Sequence, residues 1–264
     1  ERSYWETIAS KMEAGPLAME ENTGESGYDS LEITLSREET EQLVHRAGRA
    51  FNTEINDLLI SAIGMTVQRL TGQAIVSVGL EGHGREEIHK QVDIDRTVGW
   101  FTSIYPIVVE CREDVFESIV STKEMLRKVP NHGLGYGLLK QELPNFSADI
   151  YFNYLGQIDA ELKDRKILIN SSGKSFAEEN AMFRKINISG GVMREMLKFN
   201  ITYDRSRYST ETMEHFATMF QAAMREIILQ CLKMDEVAVT ISDTHASDLS
   251  EDDLQLINSL FDIE

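Results

Sequence analysis

Glu81-Gly82-His83-Gly84-Arg85-Glu86 places an imidazole and a guanidinium between two carboxylates within six residues. Such groups can take, hold or return a proton, provided something fixes them at one place. The run follows the apolar stretch Ala74 to Leu80, which suits an inner strand. Its two glycines permit a tight backbone path that leaves Glu81, His83 and Arg85 at the carboxyl end of that strand. Taken alone, the same run also reads as a charged turn with internal ion pairs.

A second candidate is Phe152-Asn153-Tyr154-Leu155-Gly156-Gln157. Strand alternation puts Asn153 on the face opposite Phe152 and Tyr154, so one face is aromatic and the other offers an amide. By itself this is also what a core strand looks like. Arg96 to Pro106, with Trp100 and Phe101 inside it, runs from loop into strand and reads as core with aromatic ballast. Pro106 suits an edge strand or a bulge. Asn131-His132-Gly133-Leu134-Gly135-Tyr136-Gly137 has the glycines of a phosphate loop, but it follows a helix where a dinucleotide site needs a strand, so it is read as a flexible loop. The six histidines are scattered without a His-Glu-x-x-His pair, and no metal site is expected.

Helices and strands must hold these groups in place. Tyr4, Trp5, Ile8, Ala9 and Met12 recur at helical spacing, and a Gly-, Glu- and Ser-rich stretch to Gly27 reads as an exposed linker. Leu31, Ile33 and Leu35 alternate as in a strand, and Ser36 with Glu39 forms a capping box for a helix carrying Leu43, Val44 and Ala47. A helix from about Thr53 to Gln68 precedes the Ala74 to Leu80 strand, and Phe101 to Val109 is a second apolar run of the inner-strand kind. Asp114 and Glu117 can cap a helix carrying Phe116, Ile119, Val120 and Leu126, ending near Val129 because Pro130 restricts the residue before it. Strands are expected at about Asp149 to Leu155, Ile167 to Asn170, Ile186 to Val192 and Leu197 to Tyr203. Ser209 then starts a long amphipathic helix with Phe216, Phe220, Ala223 and Ile227 on one face. Alternating strands and helices imply an α/β sandwich in which helices cover a mixed sheet.

At 264 residues and 42% hydrophobic composition, the chain can bury one good-sized core. Its formal net charge of −18 is the wrong sign for tracking phosphate backbones or anionic lipid, so neither nucleic acid nor membrane is an expected partner. Two cysteines, Cys111 and Cys231, with no signal segment and no run of about 18 apolar residues, fit a reducing, cytoplasmic setting.

In chain order come Asp57-Leu58-Leu59-Ile60-Ser61-Ala62-Ile63-Gly64, the Glu81 run, Arg96 to Glu110, Pro130 to Gly137, and Phe152 to Asp159. This ordered set resembles the later signature motifs of the epimerization domains of nonribosomal peptide synthetases, members of the condensation-domain superfamily that serve antibiotic biosynthesis. The resemblance implies a chloramphenicol acetyltransferase-like domain of two lobes. Between them a tunnel admits the 4'-phosphopantetheine arm of a peptidyl carrier protein. The first lobe of that family carries a His-His-x-x-x-Asp-Gly motif, which is absent here, and the chain begins at Glu1. The expectation is therefore the carboxy-terminal lobe alone. Residues 1–28 are read as a lobe-connecting helix and linker, 29–247 as the lobe, and 248–264 as an acidic terminal helix. Ser250 and Asp253 would cap that helix, and it would either pack on the lobe or dock a downstream synthetase.

The implied activity is inversion of the α-carbon, L to D, of an aminoacyl or peptidyl thioester on the carrier. Removing a proton on one face and delivering one on the other calls for two opposed acid/base groups. Carried over by resemblance, Glu81 is one of them and Tyr154 lines the same pocket, with Asn153 and His83 as weaker substrate-pocket assignments. The enolate needs hydrogen-bond donors, which the Tyr154 hydroxyl or the Asn153 amide can supply. Gly82, Gly84, Trp100 and Arg85 are structural; a guanidinium beside Glu81 would make it a poorer base, so Arg85 should point toward a structural partner. No cofactor is expected on this chain, since the phosphopantetheine belongs to the carrier, and the fragment without its amino-terminal lobe should be inactive. Two other readings stay open, a condensation-type acyltransferase lobe and a docking lobe without chemistry.

Overall fold

The computed structural model describes residues 1–12, 17–86, 93–94, 96–143, 147–158 and 184–244. The expected strand Ile167 to Asn170, the end of the last matched motif at Asp159 and the terminal segment 248–264 lie outside the described residues.

Six strands form one mixed sheet in the order β1-β6-β5-β4-β2-β3. They are β1 (Tyr28–Thr34), β2 (Ile75–Gly82), β3 (Ser103–Glu110), β4 (Ile150–Gln157), β5 (Ile186–Met193) and β6 (Met196–Asp204). β2–β4 and β4–β5 pair in parallel, and the other three pairings are antiparallel. One row crosses the whole sheet in register: Tyr105, Leu80, Phe152, Ile188, Ile201 and Leu31. Every member is apolar or aromatic, and this face packs under the helices.

One register step further, the side chains turn to the other face and become polar. Asn153, Ser189, Asn200 and Glu32 are successive partners there, with Glu81 beside Asn153. Because strand alternation has a period of two, the apolar row that builds the core also obliges Glu81 and Asn153 to share the opposite face.

The helices are α1 (Arg2–Met12), α2 (Arg37–His45), α3 (Ile55–Thr71), α4 (Val115–Arg127), α5 (Tyr136–Leu139) and α6 (Thr210–Lys233). Their starts follow local chemistry. The Ser36 hydroxyl accepts from Glu39 N while the Glu39 carboxylate accepts from Ser36 N, the full capping box. Asp114 accepts from Glu117 N at α4, and Ser209 from Thr212 N at α6. α3 is buried almost all round, from Asp57 through Val67, because it packs on β2 and β3 and is flanked by α4 and α6. Phe199 of β6 meets Phe220 of α6 at 6.1 Å between ring centroids, tying the sheet directly to that helix. No helix among the described residues is long and apolar enough to cross a membrane.

Several expectations change. From Leu17 to Gly27 the stretch after α1 is largely exposed, as expected, but it is anchored to the lobe: Leu17 is 1% exposed, Ala18 N donates to Gln73, and Glu20 pairs with Lys185 and Arg207. β3 is an edge strand and not an inner one, which is where Pro106, lacking an N–H, can sit without breaking a ladder. Phe116, expected among the apolar residues of α4, is 41% exposed, its ring edge-on to Phe51. The segment from Pro130 is not a flexible loop. It forms a tight turn over Pro130–Gly133 and then α5, and Tyr136 is buried with its ring 5.0 Å from Trp5.

Candidate functional site

Glu81 stands at the carboxyl end of β2, and both its oxygens are engaged. Oε2 accepts from the Asn153 amide at 2.7 Å, and Oε1 lies 2.8 Å from the Arg184 guanidinium. The pair is half-buried, Glu81's side chain 15% exposed and Arg184's 26%, so solvent screens it less than a surface ion pair. A carboxylate offers about four lone-pair positions. With two taken, its plane is fixed and acceptor capacity remains for a proton, but a guanidinium does stand beside Glu81, contrary to the expectation from the sequence: it is Arg184's and not Arg85's.

Beyond Gly82 the chain folds back through Gly84 at φ 65°, where a side chain would meet the Phe101 carbonyl oxygen. Arg85 turns to this loop: it donates to the carbonyls of Ile94 (2.6 Å) and Thr97 (2.9 Å) and lies 4.2 Å over the Phe101 ring. His83 stays largely in solvent, its Nδ1 accepting from Arg85 N and its Nε2 3.2 Å from Glu86. The downstream half of the motif is thus a self-paired charged turn. Glu81 alone faces away from that turn to β4 and β5.

Tyr154 does not join Glu81. It packs on the helix-covered face, its ring 6.5 Å from Phe199 across Gly190, and burial raises its hydroxyl above the ordinary tyrosine range. No hydrogen bond among the described residues links the two. The pairing of β4 with β5 shifts between Tyr154 and Gln157, just beyond this residue. Trp100 is 89% exposed and Val98 fully exposed, and β3 begins only at Ser103, so this stretch is surface, not core. Arg184 is the residue that motif reading missed. It lies outside every motif, just before β5, and nothing in the local sequence connects it with Glu81.

Residues 1–250 match the family described as Condensation domain, and the chain belongs to that family. It is similar to subunits of bacterial peptide synthetases: 36% identical over 99% of its length to surfactin synthase subunit 1 of Bacillus subtilis (strain 168), and 32% identical over 97% to tyrocidine synthase 1 of Brevibacillus parabrevis. It spans 8% of the first protein and 26% of the second. Among solved structures it is similar to the epimerization domain from the third module of tyrocidine synthetase B, at TM-score 0.78 and 29% identity, covering 89% of this chain and 56% of that one. The condensation domain of the Monacolin K polyketide synthase shares the fold at TM-score 0.63 and 15% identity, covering 88% and 57%.

Proposed function

We propose that this chain is part of an epimerization domain and supplies one of the two acid/base groups that invert an aminoacyl or peptidyl thioester. The observation that carries the reading is Glu81, a half-buried carboxylate at a strand's end, held at both oxygens and on the polar face. The likeness to an epimerization domain at 29% identity supports it. Glu81 takes or returns the α-proton from one face of the substrate; an amino-terminal lobe provides the opposed group. The thioester arrives on the phosphopantetheine arm of a carrier protein. This chain needs no cofactor of its own for that chemistry, and its residues hold and move a proton at the Glu81 carboxylate.

Asn153 orients the carboxylate, since its amide is already given to Glu81. Tyr154 contributes from the opposite face of the sheet, by bracing β4 on Phe199. The test is α-proton exchange with solvent deuterium, using the complete two-lobe domain and an aminoacyl carrier. Glu81→Gln should lower exchange by about two orders of magnitude or more with little change in melting temperature. Unchanged exchange with a large loss of stability would make Glu81 a structural ion-pair partner. The chain without the amino-terminal lobe should show no exchange at all. A second reading, a lobe for peptide-bond formation, draws on the family match itself; dipeptide formation from a loaded donor and acceptor, insensitive to Glu81→Gln, would favour it.

A further inference from the structure

We propose that Arg184 is a positioning residue for Glu81, and that Tyr151, seated over Gly79, is the shelf that holds it. The inference rests on the reading of Glu81 given above. Gly79 and Glu81 lie on the same face of β2, with Tyr151 beside Gly79 on β4. A side chain at position 79 would meet the Tyr151 ring at 2.7 Å, so glycine leaves the space into which that ring lies down. The Arg184 guanidinium sits 4.5 Å over the same ring. One end of the guanidinium donates to Asn187 Oδ1 at 2.8 Å, and the other reaches Glu81 at 2.8 Å.

The guanidinium is thereby gripped by a ring face and an amide before it meets the carboxylate. Planarity makes this possible, because a flat fork can stack and donate at its edges together, and a lysine ammonium cannot. Asn153 holds the second oxygen from β4. The carboxylate of β2 is therefore oriented by groups from β4 and from the entry to β5, and a shift of about 1 Å in such an arrangement can cost on the order of a hundredfold in rate. Positioning of this kind acts on the rate of proton transfer and leaves carrier binding alone.

The experiment uses the complete two-lobe domain and measures deuterium exchange at the α-carbon against loaded-carrier concentration. Arg184→Met should lower kcat on the order of a hundredfold with KM unchanged. Arg184→Lys should recover only part of that. Tyr151→Phe, which keeps the ring, should be near neutral, and Tyr151→Leu, which removes it, should lower kcat in the same direction as Arg184→Met. In a Glu81→Asp background, whose shorter arm leaves the guanidinium, Arg184→Met should produce little further loss. The proposal is overturned if Arg184→Met leaves kcat within about twofold while Glu81→Gln abolishes exchange, or if the two losses add in full. It is also overturned if Tyr151→Leu and Tyr151→Phe behave alike in a folded domain. Should Glu81→Gln leave exchange intact, the reading of Glu81 falls, and the role of Arg184 with it.

Discussion

Glu81 owes its setting to glycines and an amide as much as to opposite charge. At Gly84 an added methyl would come 1.7 Å from the Phe101 carbonyl oxygen, on a backbone at φ 65°. Gly84→Ala should therefore cost more than about 1 kcal/mol, read as a lower urea midpoint, because neither the space nor the left-handed conformation suits an L side chain. Asn153→Leu tests the amide. It removes one of the two bonds that orient the carboxylate, so exchange should fall about tenfold while the melting temperature changes little. Tyr154→Phe keeps the ring on Phe199 and deletes only a hydroxyl, so its effect should be smaller than that of Glu81→Gln. An equal or larger loss would mean that Tyr154 reaches the substrate around the strand's end.

At the scale of elements, the described residues end in a short helical turn, Ile241–Asp243, fastened to the helices below it. Lys123 of α4, 1% exposed, donates to the Phe51 carbonyl and to Asp243, each within 2.7 Å. Glu124 accepts from Ser242 N and Oγ. Burial alone would raise both carboxyls, but for Asp243 the Lys123 ammonium and the Thr240 amide outweigh it, and for Glu124 the Thr240 and Ser242 bonds do, so both lie below the ordinary carboxylate range. Their contribution is fully present above the unfolded value of about 4 and is lost as pH falls through the lowered folded values. Lys123→Met should destabilise by about 3 kcal/mol at neutral pH by stranding Asp243, and should flatten the pH dependence of the melting temperature below about pH 4. A full acid-limb dependence in that variant would refute the assignment. Elsewhere Glu39 closes its capping box and also takes Arg225 of α6, so Ser36→Ala should cost about 1 kcal/mol and loosen α2 from α6 together.

Across the whole molecule, the six-strand apolar row and the polar row beside it are two aspects of one sheet. Its core side carries Phe152 and Phe199 under α6, and its other side carries the groups that set Glu81. Cys111 and Cys231 report on that core, since burial pushes both thiols up to about 12. Neither should react with an aromatic disulfide reagent at neutral pH until the domain unfolds, and both should then react in step with the loss of far-ultraviolet circular dichroism. A thiol that reacts in the native state would place a local opening at its helix or strand end.

The sequence by itself determined what is local. Ser36 with Glu39, Asp114 with Glu117, and Ser209 each begin a helix because a cap is chemistry between residues three apart. Alternation in Phe152-Asn153-Tyr154 already put Asn153 and Tyr154 on opposite faces, and the sheet keeps them there, although resemblance grouped Tyr154 with Glu81. The ordered motifs also identified the condensation-domain family. What only the tertiary structure decided is which distant groups meet. Arg184 lies more than a hundred positions from Glu81, and nothing periodic or motif-like marks it. Its approach depends on parallel register placing β4 between β2 and β5, and on a glycine that lets Tyr151 lie flat. The exposure of Trp100 was hidden for the same reason, and Pro106 alone pointed to the edge position of β3. An apolar run shows that a strand can be buried, but strand order alone decides whether a neighbour covers it.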